Sequence, residues 1–146
     1  MNLYTIGFTK KSAKEFFELL KKYNIELLLD IRLNNKSQLA GFTKEEDLCY
    51  FLSEICHCNY QHCIEYAPTK DIMDGYKKKG ISWDEYVAMY TDLLLTRGDY
   101  KNFCTKFADV QNVCFLCSES TADHCHRRLA AEMIAQNNPE VIVKHI

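Results

Sequence analysis

Residues 113–136 read VCFLCSESTADHCHRRLAAEMIAQ, and the reading of this stretch decides the fold. Val113 to Cys117 is an unbroken apolar run of strand length, the pattern of a strand covered on both faces. Asp123 to Gln136 then carries apolar residues at helical spacing in two stripes, Cys125-Leu129-Met133 and His126-Ala130-Ile134. Asn137-Asn138-Pro139 stops that helix, and Val141 to His145 reads as a strand again. Strand, helix and strand in direct succession are the unit from which parallel sheets are built.

The same alternation runs upstream. Leu3 to Phe8 is a short apolar run containing Gly7, and Ile25 to Ile31 a longer one broken only by Glu26 and Asp30. Between them Ser12 and Glu15 form a capping box ahead of Ala13, Phe16, Phe17 and Leu20. Thr43 with Glu46 predicts a second capped helix with Leu48, Phe51, Leu52 and Ile55 as its stripe, and Asn59 to Ile64 a third strand. Thr69 to Lys78 predicts a short helix ending at Gly80. Ser82 with Glu85 starts a stronger one with Trp83, Tyr86, Val87, Tyr90 and Leu94 on its face, and Asp99 to Phe107 is a further short helix. The expectation is one three-layer α/β domain over residues 1–146: a mostly parallel five-stranded sheet with helices on both faces. A helical insert at about 69–108 is read as a lid or an interface. The Tyr and Phe residues of 60–90 are either core or the face of a homodimer.

Composition narrows the function classes. The chain has 146 residues, 47% hydrophobic and 26% charged, which is globular composition. A net charge of -2 argues against a broad nucleic-acid footprint while allowing a local basic pocket, so nucleic acid is not the favoured partner. The start Met1-Asn2-Leu3-Tyr4 lacks a signal peptide's basic and apolar regions, and no apolar run approaches the ~20 residues of a membrane span. The eight cysteines are therefore expected in a reducing cytoplasm, with no membrane partner, where free thiols are buried, catalytic or metal-bound.

Ligands of such sheets bind beyond the carboxyl ends of the strands. That rule selects Gly7, Phe8 and Thr9, then Asp30, Arg32 and Asn34-Asn35-Lys36-Ser37-Gln38, then Cys117, Ser118, Glu119 and His124 to Arg128. Arginine usage agrees: of only four Arg, Arg32, Arg127 and Arg128 fall in these segments and Arg97 does not. Arg suits bidentate anion recognition, and a helix start adds backbone donors, so a small anionic, phosphate- or nucleotide-like ligand is expected. The bland alternatives are an Arg128–Glu132 surface pair and an Arg32–Asp30 structural pair, with Asp30 orienting either Arg32 or His126. Glu119, after a buried strand, is either a partly desolvated acid or base or an acceptor for its own loop. If Asp123 is the N-cap, the helix dipole favours a Cys125 thiolate beside His126 and Arg127; if Ser120 is, Cys125 lies more than a turn in and the effect fades.

Several chemistries are excluded. No Cys is followed six residues later by Arg, so no phosphatase-type loop exists, and no Walker A loop, G-x-G-x-x-G or zinc-deaminase signature occurs. No cofactor is predicted. Zinc is the competing reading, at Cys56/Cys58/His62 or at Cys117/Cys125/His126, as is a reversible Cys117–Cys125 disulfide. Cys114 and Cys117 have zinc-like spacing, but an odd offset within a strand points them to opposite faces.

The segments Thr5-Ile6-Gly7-Phe8-Thr9, Asp30-Ile31-Arg32, Leu116-Cys117-Ser118-Glu119 and Cys125-His126-Arg127 together resemble the family catalogued as domain of unknown function 488. The resemblance spans nearly the whole chain, and its late C-x-E…C-H-R piece is the specific part. The family often continues after the second strand with a Pro- and Arg-rich loop; here that loop is Leu33 to Leu39, while Ser37 and Phe42 still fit. The resemblance implies an α/β fold and a shared site, with no agreed activity.

The expected catalytic set is Glu119, Cys125, His126, Cys117 and Asp30, and the expected substrate-binding set Arg32, Arg127, Gly7, Thr9 and Ser118. As an enzyme, the protein would be a hydrolase or transferase with Glu119 as acid or base and Cys125 and His126 as nucleophile and proton carrier. The alternatives are a non-catalytic nucleotide- or nucleic-acid-sensing module, and a metal- or redox-sensing Cys-His protein.

Overall fold

Ser12 and Ser82 start two helices in the same way. Each hydroxyl accepts the N–H of the residue three ahead at 3.1 Å, and that Glu accepts the serine N–H at 2.7 Å. They open α1 (Ala13–Lys22) and α4 (Trp83–Arg97), as the sequence predicts. The other helices of this computed structural model are α2 (Glu45–Phe51), α3 (Lys70–Lys77), α5 (Phe103–Lys106) and α6 (His126–Asn137). Residues 1–36 and 40–146 are described, so the Ser37-Gln38 end of the polar loop lies outside the described residues.

Five strands, β1 (Asn2–Gly7), β2 (Leu27–Asp30), β3 (Asn59–His62), β4 (Asn112–Cys117) and β5 (Ile142–His145), form one all-parallel sheet in the order β3-β2-β4-β1-β5. Alternation along the strands feeds two apolar layers. Ile6, Leu28, Cys114 and Leu116 meet Phe16, Phe17 and Leu20 of α1 and Leu48 of α2. Leu3, Leu29, Val113 and Phe115 meet Tyr90 and Leu94 of α4 and Ala130 and Ile134 of α6. The three-layer expectation holds, and the 69–108 insert is the bulk of one helical layer. Its aromatic residues Tyr86, Tyr90 and Tyr100 are core.

The topology positions the site. From β1 the chain steps past one place to β2 and on to β3, with α1 and α2 on one face. It returns through α3, α4 and α5 on the other face to insert β4 between β2 and β1, and α6 leads on to β5. Right-handed crossovers require this change of face when the direction reverses. Adjacent strands β1 and β4 therefore send their chains off in opposite directions, which opens a crevice at their carboxyl ends.

Four local expectations are corrected. Thr43 does not cap α2: its hydroxyl bonds the Ala40 carbonyl within a 3-10 turn, and the helix starts from Lys44 with no side-chain cap. Ile55 leaves the buried stripe because Leu52–Cys56 is a π-helical turn, whose wider winding rotates it out to 40% exposure. The third strand stops at His62, and Ile64 is exposed. Residues 99–107 divide into a 3-10 turn, Asp99–Asn102, and the single turn of α5. Among the described residues no helix is long and apolar enough to cross a membrane.

Candidate functional site

Past the ends of β1, β2 and β4 lies a cleft of about 1100 Å³. Arg32 forms part of its floor, and Cys117, Cys125 and His126 line it together. Of the residues expected at the site, Thr9, Arg32, Cys117, Ser118, Glu119, Cys125 and His126 line this cleft, whereas Gly7, Asp30 and Arg127 do not.

Asp30 and Arg32 are a structural pair, both at most 4% exposed. Arg32 donates Nε to Oδ1 at 2.8 Å and Nη2 to Oδ2 at 2.6 Å, and Nη2 also reaches the Thr43 carbonyl at 2.7 Å. Tyr60 donates its hydroxyl to Asp30 at 2.8 Å and accepts from Asn35 at 3.0 Å. Burial, then the Asp30 charge, pushes the Tyr60 phenol upward, so it stays a donor. Asp30 therefore orients Arg32, leaving His126 to another partner, and the Arg32 charge is largely spent internally.

Arg127 is 1% exposed and acts as a clamp. Its Nη1 donates to the Glu119 backbone carbonyl and to Cys125 Sγ, tying α6 to the loop after β4. Gly7 makes room for this: a Cβ there would overlap the Glu119 carbonyl outright and come within 2.7 Å of Arg127 Nη1. Thr9 N–H bonds the Ser118 carbonyl at 3.1 Å, closing β1 onto β4 beside the cleft. Arg128 takes its bland role, 3.7 Å from Glu132 on the surface. The Glu119 side chain is exposed rather than desolvated; the fold uses its backbone.

The chemistry concentrates on Cys117. Neither Asp123 nor Ser120 caps α6; the N-cap is Cys125, with an extended backbone. His126 sends Nε2 to the Ile31 carbonyl at 2.9 Å. A carbonyl only accepts, so Nε2 carries a proton, and Nδ1 faces Cys117 Sγ, 3.6 Å away. The Cys125 thiol donates to Cys117 and is thereby pushed up, while the same hydrogen bond is the leading cause that pushes Cys117 down. The Arg127 charge and the backbone N–H groups of Ser118 and Glu119 add to it, against the opposing effect of burial. All eight cysteines are free, seven are pushed upward, and Cys117 alone is lowered. Of the two neighbouring thiols, Cys117 is thus the one pushed down and Cys125 the one pushed up. The signal that could have found it is its place as the last residue of a buried strand, with N–H groups of the following turn pointing back.

Cys117, Cys125 and His126 offer three donor atoms within 4.8 Å of one another, the one such group among the described residues. Arg127 Nη1 stands 3.6 Å from Cys125 Sγ beside this trio. Cys56, Cys58 and His62 do not converge: Cys56 bonds the Phe17 carbonyl, Cys58 the Asn59 carbonyl and His62 the Arg32 carbonyl. The sequence reading also missed the lysines of the cleft rim, Lys10, Lys11, Lys77 and Lys79.

A family model described as domain of unknown function DUF488 matches residues 12–134. No curated protein and no solved structure matches the chain.

Proposed function

The chain belongs to the family described as domain of unknown function DUF488, and from that premise we propose that it is a thiol-dependent transferase or hydrolase for a small anionic ligand. One observation carries the reading: Cys117, alone among eight thiols in being lowered, faces the cleft with His126 Nδ1 at 3.6 Å. A nucleophile, a base beside it and a third group that orients the base are the parts nucleophilic catalysis needs. Here Ile31's carbonyl orients the base.

Cys117 Sγ passes its proton to His126 Nδ1 and attacks the electrophilic atom of the ligand. A bond forms from sulfur to that atom as its bond to the leaving group breaks, and His126 Nδ1 gives the leaving group a proton. Water, or an acceptor hydroxyl or amine, then displaces sulfur and gives its proton back to Nδ1. The lysine rim supports the anionic charge of the ligand, since it outnumbers the single lining carboxylate, Glu119.

Alkylation tests both halves. Iodoacetate should label Cys117 first at pH 7. Relative to iodoacetamide, and normalised to a free thiol in solution, it should react about tenfold faster at low salt, the advantage shrinking as salt screens the rim. As the pH falls below about 9, the Cys117 rate should begin its decline at a lower pH than those of the other thiols, which lose about tenfold per pH unit, because a lowered group keeps its thiolate further down than raised ones do. Labelling of Cys117 no faster than that of the half-buried Cys49 and Cys104, or no preference for the charged reagent, overturns the proposal.

A further inference from the structure

Four residues other than glycine carry a left-handed backbone among the described residues: Lys10, Asn24, His57 and Lys79. L side chains avoid this region, and glycine enters it freely. Asn24 and Lys79 occupy the same place in the same motif. After α1, Ile25 N–H bonds the Leu20 carbonyl and Asn24 N–H that of Lys21; after α3, Gly80 N–H bonds the Gly75 carbonyl and Lys79 N–H that of Tyr76. The first residue past such a cap is usually Gly or Asn. α1 uses Asn24 and α4 uses Gly98, but α3 uses Lys79, although Gly80 is the next residue. Lys10, at φ 62°, stands at the third position of a turn closed by Lys11 N–H to the Phe8 carbonyl, where a positive φ calls for Gly.

Both strained lysines open on the cleft, each beside a second lysine, Lys11 or Lys77. Lys11 is half-buried, and burial and the Arg127 charge push it down, so a cation is held where the potential is already positive. With Arg32 neutralised by Asp30, the four lysines face one lining carboxylate. Phe8 and Tyr76 add aromatic faces to the wall, and about 1100 Å³ exceeds what one phosphate fills. Backbone strain kept at a functional site is kept for what the side chain does.

We propose that the ligand is a nucleoside polyphosphate: two or more linked phosphates held between Lys10/Lys11 and Lys77/Lys79, with the base against Phe8 or Tyr76. This deepens the reading above and rests on it for the place of the ligand, while the thiol chemistry plays no part in the argument.

Calorimetric titration of the full chain with adenosine, AMP, ADP and pyrophosphate at low salt tests it. Affinity should rise about tenfold from AMP to ADP, pyrophosphate should bind more weakly than ADP, and salt should weaken ADP binding. Lys10→Gly and Lys79→Gly should each cut ADP affinity about five- to tenfold while raising Tm by roughly 2–4 °C, since glycine relaxes the backbone. Lys10→Gln and Lys79→Gln should lose the same affinity without the gain in Tm. AMP binding as tightly as ADP, pyrophosphate matching ADP, glycine variants that keep ADP affinity, or glycine variants that lower Tm would each overturn the proposal. None of these readouts depends on Cys117, so unlabelled Cys117 in the alkylation experiment would end the thiol reading and leave this one standing.

Discussion

Asp30→Ala is expected to lower the unfolding free energy by about 3–5 kcal/mol, the largest single-residue loss the site predicts. Asp30 is fully buried and Arg32 only 4% exposed, so removing the carboxylate leaves a guanidinium in the interior without its counter-charge. Tyr60 loses its acceptor as well, which adds the desolvation of an unpaired hydroxyl. The pair itself is a weak source of stability compared with apolar packing, because both ions were stripped of water to form it. Asp30→Leu combined with Arg32→Met should therefore recover most of the loss. Urea denaturation of the two variants measures this. A single-variant loss under about 1 kcal/mol, or a double variant as unstable as the single, would show that Arg32 is compensated elsewhere.

Gly7→Ala is the second large effect, expected to cost about 3 kcal/mol and to slow iodoacetate labelling of Cys117 severalfold. The added methyl meets two atoms that cannot yield cheaply, a backbone carbonyl and the nitrogen that clamps it. Gly7 also pairs in register with Cys117, so relief of the overlap must push the Ser118-Glu119 turn outward. That turn supplies the N–H groups that lower Cys117, and their displacement raises the thiol. Parallel measurement of urea stability and labelling rate checks both arms. A variant as stable and as reactive as the parent would mean the clamp does not hold the thiolate.

Much of the architecture was legible residue by residue. The boxes Ser12-Glu15 and Ser82-Glu85 fixed two helix starts because their hydrogen bonds close within one turn. The apolar runs at Leu3, Ile25 and Val113 are strands because both faces of each are covered. The convergence of Arg32, Cys117, Cys125 and His126 on one cleft followed from the carboxyl-end rule, which needs only the order of strands and helices. Thr43 and Ile55 failed because a 3-10 turn and a π-helical turn, held by neighbouring segments, overrode the local signal.

The sequence by itself determined the class of fold and the end of the sheet where Arg32, Cys117, Cys125 and His126 gather, since periodicity and capping are energies settled among residues a few positions apart. Only the tertiary structure decided that β4 lies between β2 and β1, that Cys117 rather than Cys125 is the thiol pushed down, and that Arg32 is matched by Asp30. It also brought Lys10 and Lys79 to one cleft from segments far apart in the chain. The lowering of Cys117 depends on groups that the fold brings in from beyond its own strand, and no spacing along the chain encodes which of two neighbouring thiols they favour.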